Sequence, residues 1–273
     1  MSTSRRRRRW LWVVLAVAVV VVAAVGGAVA LLWGGRGADE ASVDEAVERF
    51  RDNHDAGASG FLVPEPGVYT YRGEGTERLS VLAANQQWGP RQPVTVTATE
   101  SDCWTFRVEY STNHVQETFY CARDRALEET GGRTTQRFDF GAFAVDDTQD
   151  FTCRPPGQAI RVAASPGDSW RQSCTGRSVE RATTVTAAGT NTFVGRERVR
   201  VAGSSVEADH YRADRTLSGD QTGTERSDFW YAVQDGLPLR IRRDIRVESP
   251  SPVGAVVYTE RGELTIASLT PRR

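Results

Sequence analysis

The chain has 273 residues, of which 39% are hydrophobic and 25% charged, a composition typical of globular proteins that excludes disorder throughout. Its 34 Lys and Arg residues nearly balance its 35 Asp and Glu residues, but five arginines form one block at residues 5–9. Without those five, 29 of the 34 basic residues remain against 35 acidic ones. Nucleic acid is therefore excluded as a partner, because a protein that binds it carries a basic surface on its folded part.

An uncharged apolar segment directly follows the arginine block. Residues 10–33 are 24 consecutive residues without a charge, which at about 1.5 Å per residue suffices to cross a hydrocarbon core of about 30 Å. Trp10 and Trp33 flank the segment, where indole rings favour the membrane–water interface. A cleaved signal peptide is the alternative, since Ala28-Val29-Ala30 has the pattern of a cleavage site. The length of the apolar run favours an uncleaved, single-pass plasma-membrane anchor.

The chain divides into four predicted segments. Residues 1–9 form a cytoplasmic basic tail, because the arginines stay on the inner side of the membrane. Residues 10–33 form the transmembrane helix, residues 34–65 a linker with a short helix, and residues 66–273 an extracytoplasmic β domain. The plasma membrane is thus a predicted partner, and function lies outside the cytoplasm.

The linker contains one helix signal. Ser42 and Glu45 have the spacing of a capping box, which predicts a helix over residues 43–51. The apolar residues of this helix share one face at i, i+3, i+4 and i+7 spacing: Val43, Ala46, Val47 and Phe50. We expect this face to pack against the domain that follows.

From about residue 66 the hydrophobic pattern alternates with a period of two, which is typical of β-strands. The predicted strands are residues 68–71, 94–98, 105–110, 115–120, 136–140, 179–187, 192–202, 206–217, 225–233, 237–247, 255–259 and 263–269. Turn residues such as Gly189 separate the runs, and the connections are too short for parallel crossovers. The fold class is therefore all-β and mainly antiparallel, with a meander curled into a barrel or a half-barrel.

All four cysteines follow the apolar segment, and export places them in an oxidising compartment, which predicts two structural disulfides. Four cysteines allow three connectivities. Two predicted hairpins, each with its turn midway between two cysteines, favour pairing Cys103 with Cys121 and Cys153 with Cys174. No Cys-x-x-Cys or Cys-x-x-His spacing occurs, so the sequence predicts no metal site and no cofactor.

Several local patterns resemble those of known envelope proteins. They are residues 66–71, Gly73, residues 75–77, 229–231, 236–240 and 266–271. With these patterns the exported part resembles uncharacterised, membrane-anchored actinobacterial envelope proteins. The aromatic strand, the Gly-Leu-Pro-Leu turn and the successive antiparallel strands also resemble the half-barrel of lipoprotein-carrier and related proteins. That resemblance implies a concave face that holds acyl chains under covering helices, although this chain has no lipobox cysteine.

The histidines offer no catalytic site. His54 lies in a polar predicted loop and His114 in a predicted hairpin turn, so we expect both to be solvated. His210 follows Asp209, but neighbouring strand residues point to opposite faces, so Asp209 cannot orient this imidazole. No Gly-x-Ser-x-Gly, His-Glu-x-x-His or phosphate-loop motif occurs. The sequence therefore predicts no catalytic residue and no enzyme.

Two acidic groups invite a binding or catalytic hypothesis. Asp146, Asp147 and Asp150 lie in a predicted loop, but their spacing matches no calcium loop, so we expect them to be solvated. The second group flanks a predicted turn and has the residue types of a glycosidase carboxylate pair. It consists of Asp214, Asp220, Glu225 and Asp228. The distance between two of these carboxylates, which would be needed to judge the glycosidase hypothesis, cannot be obtained from the sequence.

Large aromatic residues have two possible roles, lining a ligand groove or packing in the core, and alternation along strands favours the core. They are Trp104, Trp170, Phe229, Trp230 and Tyr231. Arg243 is the one charge on the otherwise apolar face of its predicted strand. Because an unpaired buried charge is costly, Arg243 is either paired, at the sheet margin, or facing a polar cavity.

These observations predict a non-enzymatic, membrane-anchored module outside the plasma membrane. We expect it to hold a hydrophobic envelope ligand inside the curled sheet, which requires an interior cavity above about 300 Å³. A scaffold that docks an envelope protein is the alternative, and an enzyme with an unrecognised site is the third. The sequence identifies neither the ligand nor the residues that bind it.

Overall fold

The structure, a computed structural model, describes residues 38–53, 60–81, 85–100, 102–140, 143–251 and 254–273. The predicted tail, the predicted transmembrane segment and His54 lie outside these residues, so they remain predictions. Among the described residues, no helix is long and apolar enough to span a membrane.

One helix and thirteen strands make up the described chain. They are α1 (Val43–Asn53), β1 (Gly67–Leu79), β2 (Asn85–Gln87), β3 (Arg91–Glu100), β4 (Cys103–Ser111), β5 (His114–Arg123), β6 (Ala126–Asp139), β7 (Ala144–Arg161), β8 (Ser169–Ser178), β9 (Thr184–Val201), β10 (Ser204–Gly219), β11 (Thr222–Ala232), β12 (Pro238–Ser249) and β13 (Val256–Ile266).

Twelve of these strands form a closed antiparallel barrel. From β3 to β13, each strand pairs with the next along the chain, and β1 pairs with β3. The barrel closes where β1 meets β13, in a register that runs from Tyr71 opposite Ile266 to Leu79 opposite Tyr258. The short strand β2 pairs with the C-terminal part of β1, at residues 76–78. The all-β prediction is confirmed, and of its two forms the structure has the closed barrel.

The predicted helix is present and packs on the outside of the barrel. Ser42 caps it, with its Oγ accepting from the Glu45 amide at 3.3 Å, as the capping box predicted. Its buried face contacts Val68, which points outward from β1. Arg49 anchors the helix to β4 through Glu109, with an N–O distance of 2.6 Å. Because α1 lies on the outer wall, it does not form the helical cover that the lipoprotein-carrier resemblance implied.

Several strand boundaries differ from the sequence prediction. Gly189 was predicted as a turn, but it lies inside β9, where a Cβ would come within 1.9 Å of the Asp214 carbonyl oxygen. Glycine is therefore needed at Gly189 for the close approach of β10, not for a turn. The two strands predicted over 255–269 are the single strand β13. β7 and β8 were not predicted, because their many polar residues obscure the alternation.

Both predicted disulfides are present, and the predicted pairing is confirmed. Cys103 lies directly opposite Cys121 in the β4–β5 pair, and Cys153 lies opposite Cys174 in the β7–β8 pair. Cys174 lies on the buried face of β8, together with Trp170 and Gln172, and lines the barrel interior, so this second disulfide is internal.

Aromatic side chains fill one end of the barrel. They include Tyr69, Tyr71, Trp104, Phe106, Tyr120, Trp170, Phe193, Tyr211 and Tyr231. Leu62 and Val63, which precede β1, join this cluster, and the indole nitrogen of Trp104 donates to the Leu62 carbonyl oxygen at 3.0 Å. We call this the sealed end. It confirms the core role predicted for Trp104 and Trp170.

Candidate functional site

The opposite half of the barrel interior is a cavity of about 870 Å³. It exists because the interior side chains change character along the strands. Closely packed aromatics fill the sealed end, whereas aliphatic residues, glycines and several phenylalanines line the other half and leave its centre open. The cavity exceeds the volume of about 300 Å³ that ligand binding inside the sheet requires.

The walls nearest the mouth of the cavity are largely apolar. We call them the upper wall, formed by Leu79, Val81, Phe138, Phe140, Phe143, Val145, Phe151, Ala187, Leu217, Ile245, Val247 and Val256. Most of these residues alternate with exposed polar residues on their strands, so the period-two pattern places them inside. Phe143 at the mouth is 48% exposed. An apolar wall of this kind suits a hydrocarbon chain.

A layer of charged and polar side chains lies between the upper wall and the sealed end. We call it the polar layer. It comprises Glu77, His114, Gln116, Glu129, Gln172, Arg215, Glu225, Arg243 and Glu260, which are buried or nearly so. Strand register brings these residues to one level, since Glu77 is opposite Glu260 and Arg215 is opposite Glu225. The layer forms the floor of the cavity.

Glu77 is the centre of the first group in the polar layer. One of its oxygens lies 2.6 Å from His114 Nδ1 and accepts from the Trp88 indole at 2.8 Å, and the other accepts from Gln86 at 2.7 Å. Burial raises the pKa of Glu77, but the attraction and hydrogen bond of His114, with the bonds from Gln86 and Trp88, outweigh it and hold this pKa below its usual value. The floor thus contains a buried carboxylate.

Arg243 and Glu260 form the second group. Arg243 Nε lies 2.7 Å from Glu260 Oε1, and its Nη1 donates to the Tyr110 hydroxyl at 3.0 Å and to the Gln116 side chain. Burial lowers the pKa of Arg243, but the attraction of Glu260 outweighs it and raises this pKa above its usual value. Of the three alternatives stated for Arg243, the structure has two together: it is paired and it faces the cavity.

Arg215 is the centre of the third group. Its guanidinium lies 3.0 Å from Glu129 and 3.8 Å from Glu225. Gln172 donates to the same Glu129 carboxylate at 2.7 Å, and the Ser227 hydroxyl donates to Glu225 at 3.1 Å. Both arginines of the layer are therefore already paired with carboxylates.

One apparent metal-ligand cluster lies beside this group. An oxygen of Glu129 and the sulfurs of Cys153 and Cys174 lie within 4.8 Å of one another. The two sulfurs form a disulfide, so neither is the thiolate that metal binding needs. The cluster has no set of metal ligands.

The structure contradicts the prediction made for His114 and agrees with the one made for His210. The prediction that His114 is solvated is wrong: its side chain is 0% exposed, because the β4–β5 hairpin turns its imidazole into the barrel against Glu77. Asp209 does not orient His210, as predicted, since it pairs with Arg196 at 2.8 Å. The residues that hold His210 come from neighbouring strands.

His210 lies in a buried cluster on the outer wall of the barrel. Its Nδ1 is 2.8 Å from Glu197 on β9, and its Nε2 is 2.8 Å from Asp228 on β11. The imidazole stacks on the Trp230 ring, with 4.1 Å between the two ring centroids. The Arg240 guanidinium also lies over the Trp230 ring, 4.8 Å from its centroid. Trp230 is 4% exposed and belongs to the same hydrophobic cluster as the aromatics of the sealed end, as its predicted core role requires, and it does not line the cavity. The contacts of His210 join three strands.

The acidic residues singled out in the sequence do not gather into one site. Asp146 and Asp150 were predicted in a loop, but they lie in β7 and pair on its outer face with Arg137 and Arg133. Their neighbour Asp147 points inward and lines the cavity.

The proposed carboxylate pair is also separated. Glu225 faces the cavity, whereas Asp214 pairs with Arg226 outside and Asp228 contacts His210. Asp220 accepts from the Thr184 amide at 2.7 Å. The β-strand alternation puts these carboxylates on opposite faces of the barrel wall.

Most residues of the polar layer were missed by sequence analysis, although they carry a detectable signal. Arg215 lies between the inward positions of Ala213 and Leu217, just as Arg243 lies between Ile241 and Ile245. A single charge within an apolar alternating face therefore marks both arginines. Glu77 and Glu129 lie in strands whose apolar faces are less regular, and only the register identifies them.

Comparisons with known proteins add little to this geometry. No protein-family model and no curated protein matches the chain in sequence. Among solved structures, the chain is similar to the hypothetical lipoprotein YmcC from Escherichia coli, with 15% sequence identity and a TM-score of 0.36 over 85% of this chain and 98% of that one. A likeness of this size identifies neither a family nor a function, so function has to be inferred from the site itself.

Proposed function

We propose that this protein is a non-enzymatic, membrane-anchored module outside the plasma membrane, and that its barrel holds a hydrophobic component of the cell envelope. The cavity of about 870 Å³ with its apolar upper wall carries the proposal. Its volume is within the range of about 300–1,000 Å³ found for small-molecule sites. The predicted anchor at residues 10–33 would keep the barrel beside a source of such ligands.

The energetics of burial set a minimum length for the ligand. Each methylene removed from water contributes about 0.8 kcal/mol, so ten of them contribute about 8 kcal/mol. Association itself costs about 4–15 kcal/mol in lost freedom. At about 0.8 kcal/mol each, roughly five to nineteen buried methylenes offset that cost, so we expect the ligand to carry a chain of roughly ten carbons or more.

Two neighbouring alanines of β9 allow a matched test. Ala187 lines the cavity, whereas the side chain of Ala188 points to the other face of the strand. Ala187→Trp places an indole in the cavity, and Ala188→Trp adds the same bulk outside. We expect native mass spectrometry of the full chain, extracted with its surrounding lipid, to show an amphiphile adduct on the wild type and on Ala188→Trp but not on Ala187→Trp.

A clean protein mass for the folded wild type would contradict ligand holding. Crosslinking in the membrane would then test the alternative, a scaffold that docks an envelope protein. The outer wall gives less support to that alternative, since many of its charges pair with one another, as Arg133 does with Asp150 and Arg226 with Asp214.

A further inference from the structure

We infer that the polar layer selects the head group of the ligand: it accepts a polar end that donates hydrogen bonds and carries no negative charge, such as a hydroxyl-rich or an ammonium group, and it rejects phosphate and carboxylate. This inference rests on the proposed function. It also fixes the orientation of the ligand, with the polar end deep in the barrel and the chain along the upper wall.

The first argument is the balance of formal charge around the cavity. Five carboxyl groups face the cavity or its floor: Glu77, Glu129, Asp147, Glu225 and Glu260. Among the described residues, the basic side chains that face the same place are Arg215 and Arg243, with His114 beside Glu77 and Arg181 at the mouth. Arg133 and Glu117 also border the cavity, but their side chains pair on the outer face with Asp150 and Arg107. Even with the histidine charged, negative groups outnumber positive ones. A surrounding of low dielectric strengthens this field, which attracts cations and repels anions.

The second argument is that the charges of both arginines are already balanced by buried carboxylates. Arg215 already contacts two carboxylates, Glu129 and Glu225. Arg243 contacts Glu260, Tyr110 and Gln116. An incoming phosphate would have to displace one of these buried partners and leave a carboxylate unpaired, which is strongly unfavourable.

The third argument is the presence of buried polar atoms in the layer without a well-directed partner. Among the described residues, Glu260 Oε1 receives no well-directed hydrogen bond although it lies 2.7 Å from Arg243 Nε. His114 Nε2, Arg215 Nε and Arg243 Nε have no hydrogen-bond partner either. All four residues line the cavity. A ligand hydroxyl can donate to the carboxylate and accept from an arginine, and so supply the partners that buried polar atoms require.

The test uses three probes that share one chain and differ in the head group. Diazirine-bearing analogues of 1-dodecanoylglycerol, dodecylamine and dodecyl phosphate are added at equal mole fraction to the full chain in phosphatidylcholine nanodiscs at pH 7.5. Photolabelling of cavity peptides is quantified by mass spectrometry. We expect the glyceride and the amine to label at least fivefold more than the phosphate.

Two variants then test the cause of the selectivity. Glu225→Gln removes one negative charge while leaving the closer Arg215–Glu129 pair; we expect labelling by dodecyl phosphate to rise at least threefold. Asp244→Asn makes the same charge change on the outer wall, where Asp244 pairs with Arg261, and should leave labelling unchanged.

The outcomes separate the two proposals. Equal or stronger labelling by the phosphate probe overturns the head-group inference while the binding function stands. A preference that Glu225→Gln does not alter also overturns it, because the carboxylates would then not be its cause. If none of the three probes labels the cavity, the proposed function itself fails.

Discussion

Single residues in the barrel interior explain how charge is tolerated there. Arg243 and Glu260 are 9% and 2% exposed, and each is the other's ion-pair partner. Such a pair contributes little net stability relative to apolar residues, but its disruption leaves one charge buried alone. The neighbouring Arg242 is half exposed on the outer wall. Loss of the ion pair is therefore costly at the buried Arg243 and of little consequence at the exposed Arg242.

Substitution of the inner arginine is expected to be far more damaging than substitution of the outer one. Arg243→Met leaves Glu260 without its counter-charge and should lower the free energy of unfolding by about 3–5 kcal/mol. Arg242→Met removes an exposed pair and should change it by less than about 1 kcal/mol. Urea denaturation of both variants measures the difference, and equal losses would contradict the inward placement of Arg243.

Asp228 gives a residue-scale prediction of pH dependence. Burial raises the pKa of Asp228, but the hydrogen bond of His210 and the attraction of Arg212 outweigh it and hold this pKa below its usual value of 3.8. A carboxylate with a lowered folded-state pKa stabilises the fold above the unfolded-state pKa, and the contribution is lost as the pH falls through the folded-state pKa.

We therefore expect the stability difference between the wild type and Asp228→Asn to be largest near neutral pH and to shrink below about pH 4. Urea denaturation at a series of pH values measures it. Asp244→Asn, at an exposed pair, is the control and should show a smaller pH-dependent difference. A gap between wild type and Asp228→Asn that widens in acid would have the wrong sign for this explanation.

At the scale of elements, glycine positions and disulfides hold strands at close range. Gly189 allows β9 to approach the backbone of β10, and Gly262 on β13 leaves room for the ring of Trp88 inside the barrel. Each disulfide joins directly opposite residues of neighbouring strands. Strand pairing thus depends on a few positions where a side chain is absent or covalently fixed.

Gly189→Ala should be destabilising although alanine is small. Its Cβ would meet the Asp214 carbonyl oxygen at 1.9 Å, so β9 and β10 must separate, at a cost of about 1–3 kcal/mol. At Gly60 the nearest atom to an added Cβ is 4.0 Å away, and Gly60→Ala should be close to neutral. Thermal unfolding of the two variants measures the difference, and equal melting temperatures would contradict the close approach of β9 and β10 at Gly189.

Removal of the internal disulfide tests how much this covalent link between β7 and β8 contributes to stability. Cys153 and Cys174 are separated by 21 residues, and a link over a loop of this order stabilises a protein by about 3 kcal/mol through restriction of the unfolded chain. The double variant Cys153→Ala and Cys174→Ala should lose about that much in urea denaturation. A loss below about 1 kcal/mol would indicate that the β7–β8 pair is held by its other contacts.

At the scale of the whole molecule, barrel closure converts an alternating sheet into a container. The pairing of β1 with β13 removes both sheet edges, apart from the short β2. The same closure divides the interior into the sealed end, the polar layer and the cavity. Because the cavity exists only in the folded barrel, a ligand that binds there must stabilise the whole fold.

Ligand stabilisation gives the whole-molecule prediction. With 1-dodecanoylglycerol at about 100 times its dissociation constant, the free energy of unfolding of the full chain should rise by about 2.7 kcal/mol. Ala187→Trp, with an indole in its cavity, should show a smaller rise, whereas Ala188→Trp should behave as the wild type. Hydrogen exchange of the β10 and β12 amides in nanodiscs measures the effect, and equal protection in all three proteins would contradict binding in the cavity.

The sequence alone determined features that depend on neighbours along the chain. Ser42 and the apolar face that includes Phe50 predicted α1, and period-two alternation predicted an antiparallel β fold. The turns midway between the cysteines predicted both disulfides. The solitary charge on an apolar face singled out Arg243. Each of these signals is local, because capping, alternation and hairpin pairing act over a few residues.

Only the tertiary structure decided what depends on register between distant strands. Closure of the barrel requires residues near 71 to meet residues near 266, and no local pattern encodes that pairing. The same register buries His114 against Glu77. The sequence analysis had predicted that His114 is solvated in a turn, and it had assigned no role to Glu77. It also separates Glu225 from Asp214 and Asp228 by the barrel wall. The site is missed by local reading because its floor is built from single residues of many strands, brought together only when the sheet closes.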